Sequence, residues 1–159
     1  MSEFNGHSRK PIEVLTEHQP IIFRNFSRQD MLDVLAIGKA VDVAPFKEVH
    51  IFNKYKLPEA YIVLDGLVEL RRKGFTIEQY TNGDFIGEGF LHSQQPPNYE
   101  LRTAIPSTLI VLRRDEMLRF FRERPEKLFK IFTMNVIEAQ HRHIHNLYKR
   151  ITEKTEHTL

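Results

Sequence analysis

The sequence predicts a mainly β fold, an antiparallel jelly-roll β-barrel with a short helix before it and a long helix after it. Between residues 40 and 114, short apolar runs alternate with turn signals, which is typical of antiparallel strands. The Asp-Gly pair at 65–66 and the Asn-Gly pair at 82–83 supply glycine where tight turns need a positive φ. From Pro125 onward no residue breaks a helical pattern for roughly 29 residues.

The chain of 159 residues, 41% of them hydrophobic, is the size of one domain. We divide it into a flexible N-terminal segment (1–20), a helix plus β-barrel (21–124) and a long C-terminal helix with its tail (125–159). Its 23 basic and 21 acidic side chains nearly balance, so charge alone does not attract a polyanion. We therefore expect no direct DNA binding.

Cysteine is absent, which excludes disulfides, thiolate metal sites and a cysteine nucleophile. The N-terminus lacks the apolar core of a signal peptide, and no run approaches the ~20 apolar residues of a membrane span. We expect a cytoplasmic protein that does not enter a membrane.

The first helix follows Ser27, a plausible N-cap with Asp30 three residues later, and Gly38 can end it. Seven strands are predicted after it. Their ranges are 40–44, 48–52, 60–64, 67–72, 75–80, 99–104 and 108–113.

The long helix that starts at Pro125 would extend about 43 Å at 1.5 Å per residue, more than its own barrel needs. Isoleucines recur every seven residues along it, with a leucine and a glutamine at complementary positions, as in a parallel coiled coil between two copies. We therefore predict a homodimer; the alternative is a helix folded back on its own barrel. The predicted interface residues are Ile137, Gln140, Ile144, Leu147 and Ile151.

The stretch AYIVLDGLVELRRKGFTIEQYTNGDFIGEGFL resembles the cyclic nucleotide-binding domain family of catabolite activator-type regulators, cyclic-nucleotide-dependent kinases and gated channels. The matching pieces are the tyrosine-led strand into the turn at 65–66, the Gly-Asp-Phe sequence at 83–85 and the Gly-Glu pair at 87–88 that opens the phosphate cassette. The resemblance extends from about Ile21 to Ile151. It implies a regulatory protein rather than an enzyme, with cyclic AMP or cyclic GMP as the candidate ligand.

In the family, the glutamate matching Glu88 accepts the ribose hydroxyl, and an arginine near the end of the cassette neutralises the cyclic phosphate. That arginine would stand at Asn98, followed by a small residue where this chain has Tyr99. Burying a phosphate without a cation forfeits the main attraction, and Glu100 adds a carboxylate nearby. We therefore expect a degenerate cassette.

Other side chains remain candidates for a ligand. Arg102 either reaches inward or pairs with Glu100 on the strand surface. Arg142 and His143 match the helix positions that recognise the base in the family. The full candidate set is Gly87, Glu88, Gly89, Phe90, Asn98, Tyr99, Arg102, Arg142 and His143.

No catalytic set is evident, because the predicted strands carry no Ser-His-Asp arrangement and no cupin-like histidine cluster. Glu138, His141 and His145 share a helix face, but they do not complete a ligand set, so we expect no metal site. We predict a regulatory domain that acts as a protein-interaction module with a protein partner. The alternative is a small-molecule sensor that binds a cyclic or other nucleotide in a non-standard way.

Overall fold

The computed structural model describes residues 10–49, 58–87 and 100–156. Its helices are α1 (Pro11–His18), a 3-10 helix (Ile21–Phe23), α2 (Arg28–Ile37), α3 (Arg114–Arg122) and α4 (Glu126–Glu156). Its strands are β1 (Lys39–Val43), β2 (Glu48–Val49), β3 (Glu59–Asp65), β4 (Val68–Arg72), β5 (Phe75–Tyr80), β6 (Phe85–Ile86), β7 (Glu100–Thr103) and β8 (Ser107–Arg113).

The strands form two antiparallel sheets of four, in the orders β1-β8-β3-β6 and β2-β7-β4-β5. This arrangement confirms the predicted jelly-roll fold class, with one correction. In the described residues the two sheets face each other as a sandwich and do not close into a barrel. Strand β6 was not predicted, because two residues are too few to show an alternating pattern.

Strand β3 separates two hydrophobic clusters because its successive side chains point to opposite faces. Tyr61 and Val63 face the second sheet and join the cluster between the sheets. Ala60, Ile62 and Leu64 face the helices and join the larger cluster beneath them. The helices therefore cover the outer face of the first sheet.

The predicted α2 forms as expected. Ser27 Oγ accepts a hydrogen bond from the backbone N–H of Asp30 at 3.1 Å, and Asp30 Oδ2 accepts one from the N–H of Ser27 at 3.0 Å. These two bonds form the capping box that satisfies free backbone donors at the start of the helix.

The prediction of a flexible segment at 1–20 was wrong for residues 11–18. They form α1, in which Pro11 occupies the first turn and Val14 and Leu15 are buried at 2% and 0% exposure. The helix is stabilised by packing and not by length, since eight residues are too few to be stable alone.

Helix α4 has 31 residues, about 46 Å at 1.5 Å per residue. Its first half is buried through Leu128, Phe132 and Val136. The buried Asn135 amide donates hydrogen bonds to the carbonyls of Ile22 and Arg24, which fixes α4 against the 3-10 helix. In the described part of the chain, no helix is both long and apolar enough to cross a bilayer.

Candidate functional site

The second half of α4 crosses the edge of the second sheet at β5 and forms a cleft there of about 290 Å³. Strand β5 contributes inward-facing side chains because it pairs with β4 in the register that sets Glu78 opposite Leu70 and Tyr80 opposite Val68. The cleft is lined by Pro20, Ile21, Ile22, Glu78, Gln79, Tyr80, Asp84, Phe85, Ala139, Arg142, His143 and Asn146.

Glu78 is the centre of the polar contacts in this cleft. Its Oε2 atom lies 2.7 Å from Nδ1 of His143 and accepts a hydrogen bond from the Tyr80 hydroxyl at 2.8 Å. One carboxylate thus joins the helix to the strand. Nearer the end of α4, Arg150 donates to the backbone carbonyl of Ile77 at 2.6 Å, which further fixes the helix over β5.

Arg142 lines the cleft but is held on the helix surface by Glu138 at 2.8 Å. Glu138 also accepts from Arg24 at 2.7 Å. These contacts lower the pKa of Glu138, the hydrogen bond from Arg24 being the larger cause and that from Arg142 a further one. The structure therefore brings the predicted pair Arg142 and His143 to one cleft, each with a carboxylate partner.

Arg102 is directed away from the space between the sheets. Its neighbours Leu101 and Thr103 are buried on the inner face of β7, so alternation places Arg102 on the outer face. There its Nε donates to the carbonyl of Phe46 at 3.1 Å, and it lies 3.9 Å from Glu100. Arg102 therefore does not line the space between the two sheets.

Of the predicted cassette residues, the structure describes only Gly87. Its φ is +105°, and a Cβ atom there would lie 3.2–3.3 Å from Ala60, so glycine lets the chain pass close to β3. The remaining cassette candidates lie outside the described residues. They are Glu88, Gly89, Phe90, Asn98 and Tyr99.

The space between the sheets is filled by apolar and tyrosine side chains as far as the described residues extend. Tyr61 is among them, and its burial raises the pKa of its phenol, as does the nearby Glu59 carboxylate that accepts its hydrogen bond at 3.1 Å. The buried polar residues of the described chain are Thr103, Ser107 and Asn135, and no buried lysine or arginine occurs among the residues that the structure describes.

Glu138, His141 and His145, for which the sequence analysis expected no metal site, do not form a metal-binding group in one chain. Glu138 is engaged by two guanidinium groups, as described above, and is not free to bind a metal together with His141 and His145. Within residues 10–49, 58–87 and 100–156, no group of three metal-binding side chains comes together.

Sequence reasoning missed Glu78 and Tyr80. The signal was present, because a strand at 75–80 that pairs with 68–72 sets Tyr80 opposite the buried Val68 and Glu78 opposite the partly buried Leu70. What the sequence could not show is that α4 crosses this strand and brings His143 to Glu78.

The chain thus combines a layer of helices, two facing sheets and a long helix across a cleft. The sequence model of the cyclic nucleotide-binding domain matches residues 47–124. This match identifies residues 47–124 as a segment of the cyclic nucleotide-binding type, and the fold of the chain agrees with it. No curated protein matches the chain at a significant level.

Solved structures agree on the fold. A cyclic nucleotide-binding domain from Methylobacillus flagellatus has 19% identity and a TM-score of 0.70, covering 90% of this chain and 83% of that one. The Thermus thermophilus Catabolite Activator Protein has 16% identity and a TM-score of 0.67, covering 85% of this chain. This chain spans 63% of the Thermus protein's length.

A third similar structure is the regulatory subunit of a cAMP-independent protein kinase A from Trypanosoma brucei. It has 17% identity and a TM-score of 0.57, covering 76% of this chain and 44% of that one. That structure is of a triple mutant, with a glutamate replaced by alanine, a threonine by arginine and a valine by alanine, bound to cAMP in its A site.

Proposed function

We propose that this protein is a non-enzymatic regulatory domain that acts by contacting a protein partner and does not bind cyclic AMP or cyclic GMP in the ordinary way. The observation that carries the proposal is the position of Arg102. It is the cation nearest in sequence to the expected phosphate position, yet it lies on the outer face of β7 with Phe46 and Glu100.

A cyclic phosphate needs a positive partner when it is buried, because an unpaired buried charge is strongly disfavoured. The described residues supply no buried lysine or arginine, and the sequence has Asn98 and Tyr99 where the family has an arginine and a small residue. The side chains present do not fit the ordinary ligand, so we assign no step of the function to it.

Protein contact is supported by large apolar side chains that the fold leaves exposed. Phe46 and Phe75, at opposite ends of the second sheet, are 65% and 77% exposed. Phe46 also has a φ of +60°, a conformation that bulky residues rarely adopt. Backbone strain of this kind persists where the surrounding structure holds it and is often associated with function.

Self-association through α4 is part of the proposal. Ile137, Ile144 and Ile151 are 53%, 51% and 63% exposed, so the apolar column predicted from the sequence faces solvent in a single chain. Burying such a column against a second copy removes apolar surface from water. Gln140 and Leu147 are only half-buried by their own domain and border this column.

The cleft beside β5 favours a second candidate function, a sensor for a small molecule held in a non-standard way. Its carboxylate, imidazole and guanidinium groups offer both donors and acceptors to a polar ligand. A thermal-shift screen of cyclic mononucleotides and dinucleotides separates the two candidates, because a ligand raises Tm according to its concentration and Kd. A sensor is stabilised by one of them, and a domain that only contacts proteins is not.

The main proposal is tested by introducing an arginine and a small residue at the positions where the family has them. We expect the double variant Asn98→Arg/Tyr99→Ala to gain cyclic AMP binding in calorimetry, by analogy with the arginine and alanine introduced in the Trypanosoma subunit. The matched control Asn98→Gln/Tyr99→Ala clears the same space without charge and should not bind. Equal binding by the unmodified protein or by the neutral control would contradict the proposal.

A further inference from the structure

A stripe of exposed apolar side chains runs along α4 from Met134 to Ile151. The intervals between them alternate between three and four residues once His141, itself exposed, is included. We call this set the α4 stripe. Its apolar members and their exposures are Met134 64%, Ile137 53%, Ile144 51%, Tyr148 68% and Ile151 63%.

Alternating intervals of three and four residues are the spacing by which two helices pack side by side. The stripe is identical in every copy of the chain, so two copies can pair along it about a twofold axis. In that pairing the imidazole of His141, between Ile137 and Ile144, is taken out of water. A buried polar group of this kind requires a partner.

His145 lies one helical turn after His141, and residues four apart lie on the same side of a helix. Both side chains are exposed. Imidazole suits divalent zinc, nickel and copper, and a structural zinc site has four protein ligands. One chain therefore supplies two of the four ligands.

Two cations lie near the pair, and each has a carboxylate partner; Lys149, one helical turn after His145, lies 3.9 Å from Glu153. Arg142, the nearest positive charge in sequence, is paired with Glu138 at 2.8 Å. The third histidine of this segment, His143, faces the other way and contacts Glu78 at 2.7 Å. His141 and His145 thus face outward, whereas His143 lines the cleft.

We propose that His141 and His145 from two copies of the chain form one four-coordinate site for a divalent transition ion of the zinc type, which links the two α4 helices. The site is incomplete in a single chain. This inference rests on the proposed self-association through α4 and is independent of the proposal about cyclic nucleotides.

The experiment uses the full chain without a histidine tag, with Zn²⁺ as the probe. Calorimetry should give one zinc ion per two chains, and sedimentation should show association at least tenfold tighter with zinc than with EDTA. Both effects should be lost in His141→Ala and in His145→Ala. The control His143→Gln keeps a donor toward Glu78 and should retain both.

Absence of zinc binding, or loss of binding in His143→Gln to the same degree as in His141→Ala, would overturn the site. A dimer that is equally tight in EDTA and in zinc would overturn the metal site and leave self-association standing. A chain that is monomeric in every condition would overturn both. None of these results affects the calorimetry with cyclic AMP, so a failure here is distinguishable from a failure of the proposed function.

Discussion

At the scale of single residues, two turn glycines allow the cost of backbone strain to be measured apart from the cost of a steric clash. Gly83 and Gly74 have similar φ values of +89° and +82°. A Cβ atom at Gly83 would collide with the Cβ and ring of His18 on α1, whereas at Gly74 nothing lies within 4 Å. Of these two glycines, only Gly83 lies against a helix, so its turn packs on α1.

We expect Gly83→Ala to lower the free energy of unfolding by about 3 kcal/mol, because strain and a clash add. Gly74→Ala should cost about 1 kcal/mol from strain alone. Urea denaturation of both variants measures the difference. Equal losses would show that the contact between the 82–83 turn and α1 is absent.

Asp33 and Arg124 couple α2 to the end of α3. Arg124 donates to Asp33 at 2.9 Å and lies 3.7 Å from the centre of the Phe120 ring. The hydrogen bond from Arg124 lowers the pKa of Asp33, and one from Gln29 adds to it. A lowered pKa means that the folded state binds fewer protons than the unfolded state as the pH falls through the acidic range.

The contribution of this pair to stability is therefore present above the ordinary pKa of aspartate, about 3.9, and is lost as the pH falls through the lowered value. We expect Arg124→Ala to lower the free energy of unfolding near neutral pH by about 1 kcal/mol through lost stacking on the Phe120 ring, and further through the lost ion pair with Asp33. The loss should shrink in acid. The exposed Arg122→Ala is the control, and a loss that does not change with pH would contradict the role of Asp33.

At the scale of elements, most of the fold could be predicted from the sequence. The strand predicted at 75–80 is observed as Phe75–Tyr80, and the capping box at Ser27 forms as expected. These elements carry their signals locally, in alternation, caps and turns. Helix α1 carries no such local signal, because its eight residues form little more than two turns and are stabilised by burial against elements distant in the sequence.

The burial of α1 leads to a prediction. Leu15 is fully buried in the cluster beneath the helices, so Leu15→Ala should lower the free energy of unfolding by about 2–4 kcal/mol. The neighbouring Thr16 is exposed, and Thr16→Ala should change stability little. Chemical denaturation of both variants checks this, and a Leu15→Ala protein as stable as the Thr16→Ala control would restore the idea of a loose N-terminal segment.

The α4 stripe shows that a sequence period alone does not predict which residues beside the isoleucine column are exposed. The isoleucine column was predicted, but Gln140 and Leu147 were placed beside it, whereas Met134 and Tyr148 are the more exposed apolar neighbours. A seven-residue repeat does not tell which side of the column faces solvent. That side is decided by the contacts of α4 with β5, His143 with Glu78 and Arg150 with the Ile77 carbonyl.

Self-association through this stripe can be tested with one charge. Ile144 is 51% exposed at the middle of the stripe, so Ile144→Asp should weaken dimerisation at least tenfold in sedimentation equilibrium without unfolding the chain. Asn146→Asp adds the same charge off the stripe and should leave association unchanged. Equal effects of the two substitutions would contradict pairing along the stripe.

At the scale of the whole molecule, the cleft combines the 3-10 helix, β5 and α4, which are far apart in the sequence. Its polar contacts depend on side-chain direction, and neither the helical period nor strand alternation alone could place His143 against Glu78. The fold family could be inferred because its turns and strand order are local patterns. The direction of Arg102 required the structure, although alternation had left a surface pair with Glu100 open.

These contacts describe a domain whose long helix is fixed to the sandwich by its own side chains. Glu78 on β5 contacts His143 on α4, and Arg102 lies on the outer face of β7, where it donates to the Phe46 carbonyl. The proposed function has such a domain respond to contacts on its exposed apolar surfaces and not to a buried phosphate.

Calorimetric titration of the unmodified protein with cyclic AMP and cyclic GMP tests this account most directly. The account predicts no saturable heat at ligand concentrations up to about 1 mM, since a Kd above that level corresponds to less than about 4 kcal/mol of binding free energy. Micromolar or tighter binding of either nucleotide would contradict it.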